Sequence, residues 1–599
     1  MTAGPAPGHN PMDVKGTVLA VALSACAIAP GCLYEVESID LSGQDVRMTF
    51  LHTSDIHSRI FPYDHDPLYT EEQLGLVPGR GPYGGIARVA GIVERERAKA
   101  GRSLWFDSGD LFQGAPVFNE FSGEAEVKAL SVGGVDAMAL GNHEFDAGPR
   151  NVARQFGNFA DFPVLAANYK FLRDEQPFAD EFEQIVQPFV VFNVDGLVIG
   201  VIGMGNLSSM NGLEDGGNNL GVLPLETLQT VQTYVNQLRD DVDLVVILDH
   251  LGLGEDETIA RNLCGIDLIL GGHHHIALDP PKLIAYDPDP EILFGGEIES
   301  EDPLPGQPVA PEPDFNEILG YCPPEWERDT LLSHPNAFSK FVGRLDIVVR
   351  DKRIVSHRYE LFPVDNSAPE HPEVLFALED YEEEMRRRYD FDVIVTEALT
   401  RMTRFGSTGG DSALGNFLAE AMQFREFVET DFCVTNSLGI RTDIDQGPVT
   451  IEKIFNVMPF DNTIATMFLS GLEVQELLDF STARSAERGC TSQIQVSGVR
   501  FTMNCRTGKA EDIVLNGEPL SPNGVYELCT NNYIGRGGSG FKVLGRNTTF
   551  IDTGISLRDA VIDQLQALPE LPVCYDEGTP LDQCSEGVAV EDGRITTKY

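Results

Sequence analysis

The chain has 599 residues, more than one domain usually holds, so at least two folded units are expected. Hydrophobic residues make up 42% of the chain and charged residues 23%, which excludes wholesale disorder. The 93 acidic residues outnumber the 43 basic residues and give a formal net charge of −50. Because such a field repels phosphate backbones, a nucleic-acid polymer is excluded as a partner, and an anionic small molecule would need a locally positive site.

Residues 1–46 are predicted to be an export leader followed by a linker. The apolar run at residues 16–23 is too short to span a bilayer, and small residues end it, as in a cleaved signal. The sequence Leu23-Ser24-Ala25-Cys26 is similar to a bacterial lipobox and predicts lipidation of Cys26, with Cys32 as a weaker candidate. A disordered apolar tail is the plain alternative. We therefore expect an exported protein, periplasmic or on the outer cell surface, with a possible lipid anchor.

The other eight cysteines are scattered and contain no Cys-x-x-Cys pair, which argues against a zinc ribbon or thioredoxin chemistry. Cys490 with Cys505, and Cys574 with Cys584, are close enough in sequence to close small loops in an oxidising compartment. Sequence alone leaves the pairing open.

Residues 47–350 alternate short apolar runs with helical stretches, which predicts an α/β domain. Continuous apolar runs such as residues 244–248 are typical of strands buried on both faces. Residues 283–327 contain no lysine or arginine and are rich in acidic residues and proline, which favours an extended surface insertion over a calcium site.

Residues 351–392 are predicted to form a linker containing a charged helix at about 373–389. A second α/β (α+β) domain is predicted over residues 393–555, and residues 556–599 are predicted to be an acidic C-terminal tail. Within the second domain the pattern predicts helices at 412–424 and 473–481 and a strand at 432–434.

Metal-type side chains follow five of the predicted strands, each just past the carboxyl end. In chain order the clusters are Asp55 with His57, Asp110, Asn142 with His143 and Asp146, His250, and His273 with His275. Open α/β sheets bind ligands at this edge, and any one cluster alone could equally be a capped turn or a core histidine. Five clusters together indicate one site. Carboxylates, imidazoles and an amide without thiolate suit Zn²⁺, Mn²⁺ or Mg²⁺.

The motifs Asp-x-His, Gly-Asp, Gly-Asn-His-Glu-Phe-Asp, His-x-Gly and Gly-Gly-His-x-His, in this order, resemble those of the calcineurin-like metallophosphoesterases. The complete hexapeptide at residues 141–146 resembles the 5′-nucleotidase branch of that family. The resemblance covers nearly all of the chain after Arg47. It implies a four-layer metallophosphoesterase β-sandwich flanked by helices, followed by a substrate-binding domain.

The resemblance also implies roles for these residues around two divalent metal ions. One ion would face Asp55, His57, Asp110 and His275, and the other would be held by Asp110, Asn142, His250 and His273. His143, oriented by Asp146, matches the catalytic dyad, while His274 has no role in the family and Glu144 is expected to be structural. The ion pair would hold a hydroxide for in-line attack on a phosphoryl group.

In the second domain the resemblance implies that Asn436 and Arg441 grip the substrate phosphate, and that Phe460 and Tyr533 stack on a nucleobase. Two departures from the family pattern put this in doubt. Ser539 stands where the family usually has a ribose-binding aspartate, and the usual arginine is absent before Asp411 and the Leu-Gly-Asn helix. Arg404 and Arg536 are candidates to compensate.

We therefore expect an exported two-metal phosphohydrolase that acts on nucleotides as a 5′-nucleotidase does. The same centre acting on another phosphoester, such as a 2′,3′-cyclic nucleotide, a nucleotide sugar or a non-nucleotide, is the alternative. A cell-surface binding protein whose enzyme fold has lost its activity is less favoured, because an inactive site has no physical need for a complete set of metal ligands. The oligomeric state stays open.

Overall fold

The computed structural model describes residues 19–21, 41–65, 67–171, 179–206, 222–294, 318–428, 430–568, 570–574 and 587–599. Its first domain consists of two seven-stranded sheets packed face to face, with helices on both outer faces. The four-layer α/β fold predicted for this domain is confirmed.

The two sheets of the first domain each contain parallel strands whose carboxyl ends meet at one edge. The first sheet has the order Leu19–Val21, Phe189–Val194, Leu197–Met204, Leu244–Asp249, Leu268–Leu270, Thr330–Ser333 and Lys282–Ile284. The second sheet has the order Arg353–Pro363, Phe341–Arg350, Val46–Thr53, Ser103–Asp107, Ala137–Ala139, Val164–Leu165 and Val186–Gln187. Tyr169–Phe171 and Val222–Pro224 form a separate two-stranded pair. The central neighbours in each sheet run parallel.

Side chains along each buried strand alternate between the two faces of the sheet, as an extended chain requires. Val246 and Leu248 pack between the two sheets, whereas Val245 and Ile247 pack against helices on the outer face. All six residues of Leu244–Asp249 are buried, as predicted for a strand covered on both faces. Because apolar side chains are buried on both of its faces, the strand is held firmly in place, and so is the residue at which it ends.

The helices of the first domain cover the two sheets. They are Tyr69–Gln73, Ile86–Arg97, Pro116–Phe121, Glu124–Gly133, Pro149–Phe159, Ala179–Ile185, Thr227–Leu238, Leu253–Asn262 and Pro290–Phe294, with a 3₁₀ turn at His143–Phe145. The predicted insertion is described only in part: Lys282–Ile284 is a strand, Pro290–Phe294 is a helix, and residues 295–317 lie outside the described residues.

The second domain is built around a five-stranded sheet with the order Ile494–Ser497, Phe432–Asn436, Val525–Asn531, Thr463–Ser470 and Ile551–Ser556. Smaller sheets contain Glu518–Pro519, Lys509–Leu515, Val499–Asn504 and Ile595–Lys598, then Gly447–Thr450, Ile394–Ala398 and Glu570–Leu571, and the pair Val573–Cys574 and Gly587–Val588. The helices are Ala413–Gln423, Ile451–Val457, Gly471–Glu487, Asn532–Gly535, Lys542–Gly545 and Leu557–Gln566, with 3₁₀ turns at Ser437–Gly439 and Gly538–Gly540.

Two predicted boundaries differ from the structure. The expected linker begins with the strand Arg353–Pro363, which pairs with Phe341–Arg350 and so belongs to the first domain, and its helix, Pro372–Arg388, packs on Glu124–Gly133. The expected tail is not a tail: Leu557–Gln566 contributes to the core of the second domain, and Ile595–Lys598 pairs with Val499–Asn504.

Three disulfides lie in the described residues: Cys264–Cys322, Cys433–Cys529 and Cys490–Cys505. Cys490 and Cys505, which were expected to be able to close a small loop, do form a disulfide. The side chains of Cys574 and Cys584, and the residue Cys26, lie outside the described part of the chain. Among the described residues, the helices are too short or too polar to span a membrane.

Candidate metal centre and cleft

The predicted ligand residues come together where the carboxyl edges of the two sheets meet. Asp55, His57, Asp110 and Asn142 follow strands of one sheet, and His250, His273 and His275 follow strands of the other. Three overlapping groups have ligand atoms within 4.8 Å of one another: Asp55, His57 and His275; His57, Asp110 and His143; and Asp110, His250 and His273. Asp110 and His57 each belong to two of the groups, and of these two only the carboxylate of Asp110 has lone pairs to offer two ions at once.

Five of the seven ligand residues have left-handed backbone conformations. Asp55, His57, Asp110 and His275 have φ of 51–55°, and His273 has φ of 76°. This conformation costs an ordinary residue about 1–2 kcal/mol. The strain is concentrated at one place and turns these side chains inward, which is typical of a functional site.

Two glycines allow the ligand loops to approach each other. A Cβ on Gly141 would lie 2.3 Å from Asp110 Oδ1, and one on Gly109, at φ +87°, would lie 2.6 Å from the Gly141 nitrogen. Glu144 joins the same loops, since its buried carboxylate accepts bonds from the backbone N–H of Asp110, Leu111, Phe112 and Gly141 at 2.6–3.2 Å. Burial raises the pKa of Glu144 to about 7. Its expected structural role agrees with these bonds.

Hydrogen bonds fix which nitrogen two of the imidazoles present to the cluster. His57 Nδ1 lies 2.7 Å from the Gln113 carbonyl, and His250 Nδ1 lies 2.6 Å from the Ser108 carbonyl. A carbonyl only accepts, so each Nδ1 carries a proton, and Nε2 is the nitrogen that each imidazole presents to the cluster. His57 Nε2 lies 2.9 Å from His275 Nε2, and His250 Nε2 lies 2.9 Å from Asp110 Oδ2. His273 Nδ1 lies 3.0 Å from Asn142 Oδ1.

The charge state of the cluster suits cations. Burial lowers the pKa of His57, with Arg441 adding to the effect, and burial lowers the pKa of His273 to about 3. Burial raises the pKa of Asp110, but the adjacent His250 and His143 outweigh it and the carboxyl stays ionised. Burial lowers the pKa of His250, but the Asp110 and Asp55 carboxylates outweigh burial and raise it to about 10. The centre therefore presents the neutral imidazoles of His57 and His273 and the ionised carboxylate of Asp110. These oxygen and nitrogen donors fit divalent metal ions.

His143 lies at the rim of the cluster. Its Nδ1 bonds Asp146 Oδ2 at 2.6 Å, and its backbone N–H donates to Asp110 Oδ1 at 2.8 Å. Burial lowers the pKa of His143, but Asp146 and Asp110 outweigh burial and raise it overall. Although His143 also falls within one candidate ligand group, its bond to Asp146 leaves Nε2 directed toward the cleft.

The second domain closes the cleft above this cluster. Arg441 Nη2 lies 3.3 Å from His57 Nε2, and the Phe460 ring lies 5.9 Å from the His143 ring. Asn436 is buried and accepts a bond from the Asn531 amide at 2.8 Å. Tyr533 is 49% exposed, and its hydroxyl accepts a bond from the Ser539 N–H at 3.1 Å. Arg441 and Phe460 thus stand beside the centre, Asn436 is buried against Asn531, and Tyr533 is half exposed.

Sequence reasoning missed several residues that support this cleft, of which Gln113 and Asn119 join the two domains. Gln113 Nε2 and Asn119 Nδ2 of the first domain donate to the Pro459 carbonyl at 3.3 and 3.1 Å. Arg558 donates to the carbonyls of Met458, Pro459 and Phe460 at 3.0–3.1 Å. Phe338 packs on both His57 and His275, with ring centroids 5.3 and 4.8 Å apart. No local sequence signal marks these residues, because their roles depend on long-range packing.

Neither candidate for the missing arginine is free to compensate. The Arg404 guanidinium donates to the backbone carbonyls of Ile440 and Arg441, so it supports the Arg441 loop from behind. Arg536 is paired with Asp552 at 3.2 Å.

The four-layer fold with a histidine and aspartate cluster at the sheet edges defines a metal-dependent phosphoesterase. Residues 48–277 match the family model for the calcineurin-like phosphoesterase, and residues 393–546 match that for the 5′-nucleotidase C-terminal domain. The chain belongs to the 5′-nucleotidase family of calcineurin-like phosphoesterases, which are hydrolases acting on phosphoric esters.

Named relatives agree with this assignment. The trifunctional nucleotide phosphoesterase protein YfkN of Bacillus subtilis is 26% identical over 80% of this chain, which spans only 33% of that relative. A 5′-nucleotidase of Vibrio cholerae is 24% identical over 93% of this chain and 95% of its own. The crystal structure of a 5′-nucleotidase precursor from Thermus thermophilus superposes with a TM-score of 0.73 at 26% identity, covering 92% of this chain and 99% of that one.

Proposed function

We propose that the chain hydrolyses the 5′-phosphate ester of nucleotides, using two divalent ions held by Asp55, His57, Asp110, Asn142, His250, His273 and His275. The observation that carries the proposal is the pair of candidate ligand groups that share Asp110. A bound ion pair supplies Lewis acidity toward phosphoryl oxygens and a water molecule of lowered pKa. The donor set fits Zn²⁺, Mn²⁺ or Mg²⁺.

The protein's own residues then position the substrate. Arg441 offers a planar guanidinium beside the cluster, which suits two phosphoryl oxygens at once. His143 holds a proton at Nε2 toward the cleft, where it stabilises developing charge or protonates the leaving oxygen, and Asp146 fixes its orientation. Gln113 and Asn119 hold the segment that carries Phe460 against the first domain, and Arg558 supports that segment from within the second domain.

Nucleotide selectivity is proposed to come from Phe460 and Tyr533. Phe460 lies 5.9 Å from the His143 ring and Tyr533 is 49% exposed, so each ring has surface left on which a base could stack. The names of the Vibrio and Thermus relatives support nucleotides as the substrate class. Ser539, with no carboxylate for ribose hydroxyls, keeps open a cyclic nucleotide, a nucleotide sugar or another phosphoester as the alternative.

The protein is further proposed to be exported. The apolar leader with Cys26 and the three disulfides support an oxidising compartment. Lipidation at Cys26 would add a membrane anchor.

The direct test is release of inorganic phosphate from a panel of substrates in the presence of added Mn²⁺, Zn²⁺ or Mg²⁺. The panel contains nucleoside 5′-monophosphates, a 2′,3′-cyclic nucleotide, a nucleotide sugar and 4-nitrophenyl phosphate. The highest kcat/KM is expected for a nucleoside 5′-monophosphate. A clear preference for another member of the panel would replace the proposed substrate, while leaving the metal centre intact.

A further inference from the structure

A buried aspartate and a buried histidine lie behind the metal ligands. His334 Nε2 lies 2.6 Å from Asp256 Oδ2, and both side chains are at most 1% exposed. Burial lowers the pKa of His334 to about 4, so its neutral imidazole donates the Nε2 proton to the Asp256 carboxyl. Neither residue belongs to the three candidate ligand groups. Because burying polar groups costs free energy, a role beyond packing is expected for this pair.

The pair lies directly under the turn that carries two of the ligand histidines. A Cβ on Gly271 would lie 2.6 Å from both Asp256 Oδ2 and His334 Nε2, so the backbone at Gly271 rests on the bond between them. His273 and His275 follow two and four residues later. Displacing either member of the pair would therefore shift the turn from which both imidazoles project.

Backbone hydrogen bonds attach both ends of this turn to the segment that contains His334. At one end the Gly271 N–H donates to the Ser333 carbonyl at 3.0 Å. At the other end the Leu278 N–H donates to the His334 carbonyl at 3.0 Å. Ser333 is the last residue of a strand in the same sheet. The position of the turn therefore depends on where His334 is held.

Asp256 connects the pair to another ligand histidine, His250. Asp256 lies in the first turn of the helix Leu253–Asn262, which follows His250 in the chain. Its carboxyl also shares a hydrogen bond with the carboxyl of Asp249, the residue directly before His250. The bond between Asp256 and His334 therefore joins the loop that follows one strand to the loops that follow the next two strands of the sheet.

We propose that Asp256 and His334 are positioning residues for the metal centre. Their hydrogen bond sets the distance between His250 and the turn that carries His273 and His275 before an ion binds. This inference rests on the proposed metal centre and deepens it, because it assigns what keeps ligands from separate loops in register. Imidazoles that are already in place lose little freedom when an ion binds, so the pair raises the affinity for divalent ions without touching one.

The test is a calorimetric titration of the metal-free full chain with Mn²⁺, which measures ion binding without any substrate. His334→Ala and Asp256→Ala should each weaken Mn²⁺ binding by about 10–100-fold, the usual effect of losing a residue that orients a metal ligand. The double variant should bind Mn²⁺ no more weakly than the weaker single variant, since both substitutions remove the same bond.

Two amide variants at His334 test the bond without leaving a large cavity. In His334→Gln the amide nitrogen reaches the position of the imidazole Nε2 and can donate to Asp256. In His334→Asn the amide nitrogen reaches only the position of Nδ1, so this bond is lost. Mn²⁺ binding should stay close to wild type in His334→Gln and weaken in His334→Asn.

Val235→Ala is the control for a loss of stability alone. Val235 is fully buried in the same domain and packs near Gly265, at the other end of the strand Leu268–Leu270 from the ligand turn. The substitution leaves a cavity in the core, so the urea midpoint of unfolding should fall. Its Mn²⁺ binding should match that of the wild-type protein.

Wild-type Mn²⁺ affinity in both His334→Asn and Asp256→Ala would overturn the proposal. An equal loss of affinity in Val235→Ala, or losses of binding free energy that add in the double variant, would overturn it as well. If the wild-type protein binds Mn²⁺ but hydrolyses no nucleotide, the proposed substrate fails and the variants still decide this inference. If the wild-type protein binds no divalent ion, both fail.

Discussion

Arg441 Nη2 lies 3.3 Å from His57 Nε2, so a guanidinium of the second domain reaches an imidazole of the cluster formed by the first. Burial together with this positive charge lowers the pKa of His57 well below its usual value and keeps the imidazole neutral. The proposed function places this guanidinium at the substrate phosphoryl group. The proposed reaction site is therefore shared between the domains, and its chemistry would depend on how they are held together.

Replacing Asp110 by alanine should abolish turnover, because Asp110 is the carboxylate common to two of the ligand groups. Phosphate release and bound metal, measured by mass spectrometry, should both fall, while the circular dichroism spectrum should stay close to wild type. Asp161→Ala, which changes an exposed carboxylate, is the control. Activity near wild type in Asp110→Ala with excess metal would refute the shared-ligand assignment.

His143→Ala should lower kcat by about 10²–10⁴-fold, the usual effect of removing a positioned acid or base. Bound metal should change little, since His143 is proposed to act in proton transfer and not as a metal ligand. The measurement is kcat alongside metal content, with the exposed His357→Ala as control. Loss of metal in His143→Ala would show that His143 is a ligand instead.

The strand ends were the most predictable part of this molecule. Continuous apolar runs such as Leu244–Asp249 fix both the strand and its carboxyl end, and ligands that follow five such strands converge by topology alone. The contribution of Ile595–Lys598 to a sheet was not predictable, because its pairing with Val499–Asn504 spans almost a hundred residues. For the same reason nothing local indicated that Gln113 would bond Pro459.

Removing the Gln113 and Asn119 amides together should weaken nucleotide binding without disturbing the metal centre. Both donate to the Pro459 carbonyl beside Phe460, and each bond contributes about 0.5–1.5 kcal/mol. In Gln113→Ala/Asn119→Ala the KM for a nucleoside monophosphate should rise about tenfold, while kcat for 4-nitrophenyl phosphate stays near wild type. The His57 bond survives because it uses the Gln113 backbone carbonyl. An unchanged nucleotide KM would mean that the two amides do not position Phe460.

Tyr533→Ala should raise the KM for a nucleotide and leave a small aryl phosphate almost unaffected. Stacking of a base on an aromatic ring is worth about 1–3 kcal/mol by alanine substitution. Comparing kcat/KM for the two substrates in Tyr533→Ala and Tyr533→Phe separates the ring from the hydroxyl that contacts Ser539. Equal losses on both substrates would assign Tyr533 to the structure rather than to base recognition.

Glu71 provides a pH-dependent contribution to stability away from the metal ligands. Burial raises its pKa, but His65 and Lys340 outweigh burial and lower the pKa to about 2 from 4.5. A lowered carboxyl pKa stabilises the fold above pH 4.5, and this contribution is lost as the pH falls from 4.5 toward 2. Urea unfolding of Glu71→Gln should show a stability loss of about 3 kcal/mol at pH 7 that shrinks below pH 4.5. A loss independent of pH would contradict the assigned ion pair.

The most direct measurement of the central claim is a metal titration of phosphate release. Protein freed of metal by a chelator is supplied with increasing Mn²⁺ or Zn²⁺, and phosphate release from a nucleoside 5′-monophosphate is followed. We predict no turnover without metal and a rise that reaches its maximum at two ions per chain. Full activity in the chelated protein, or no phosphate release from the nucleotide with any divalent ion, would contradict the account.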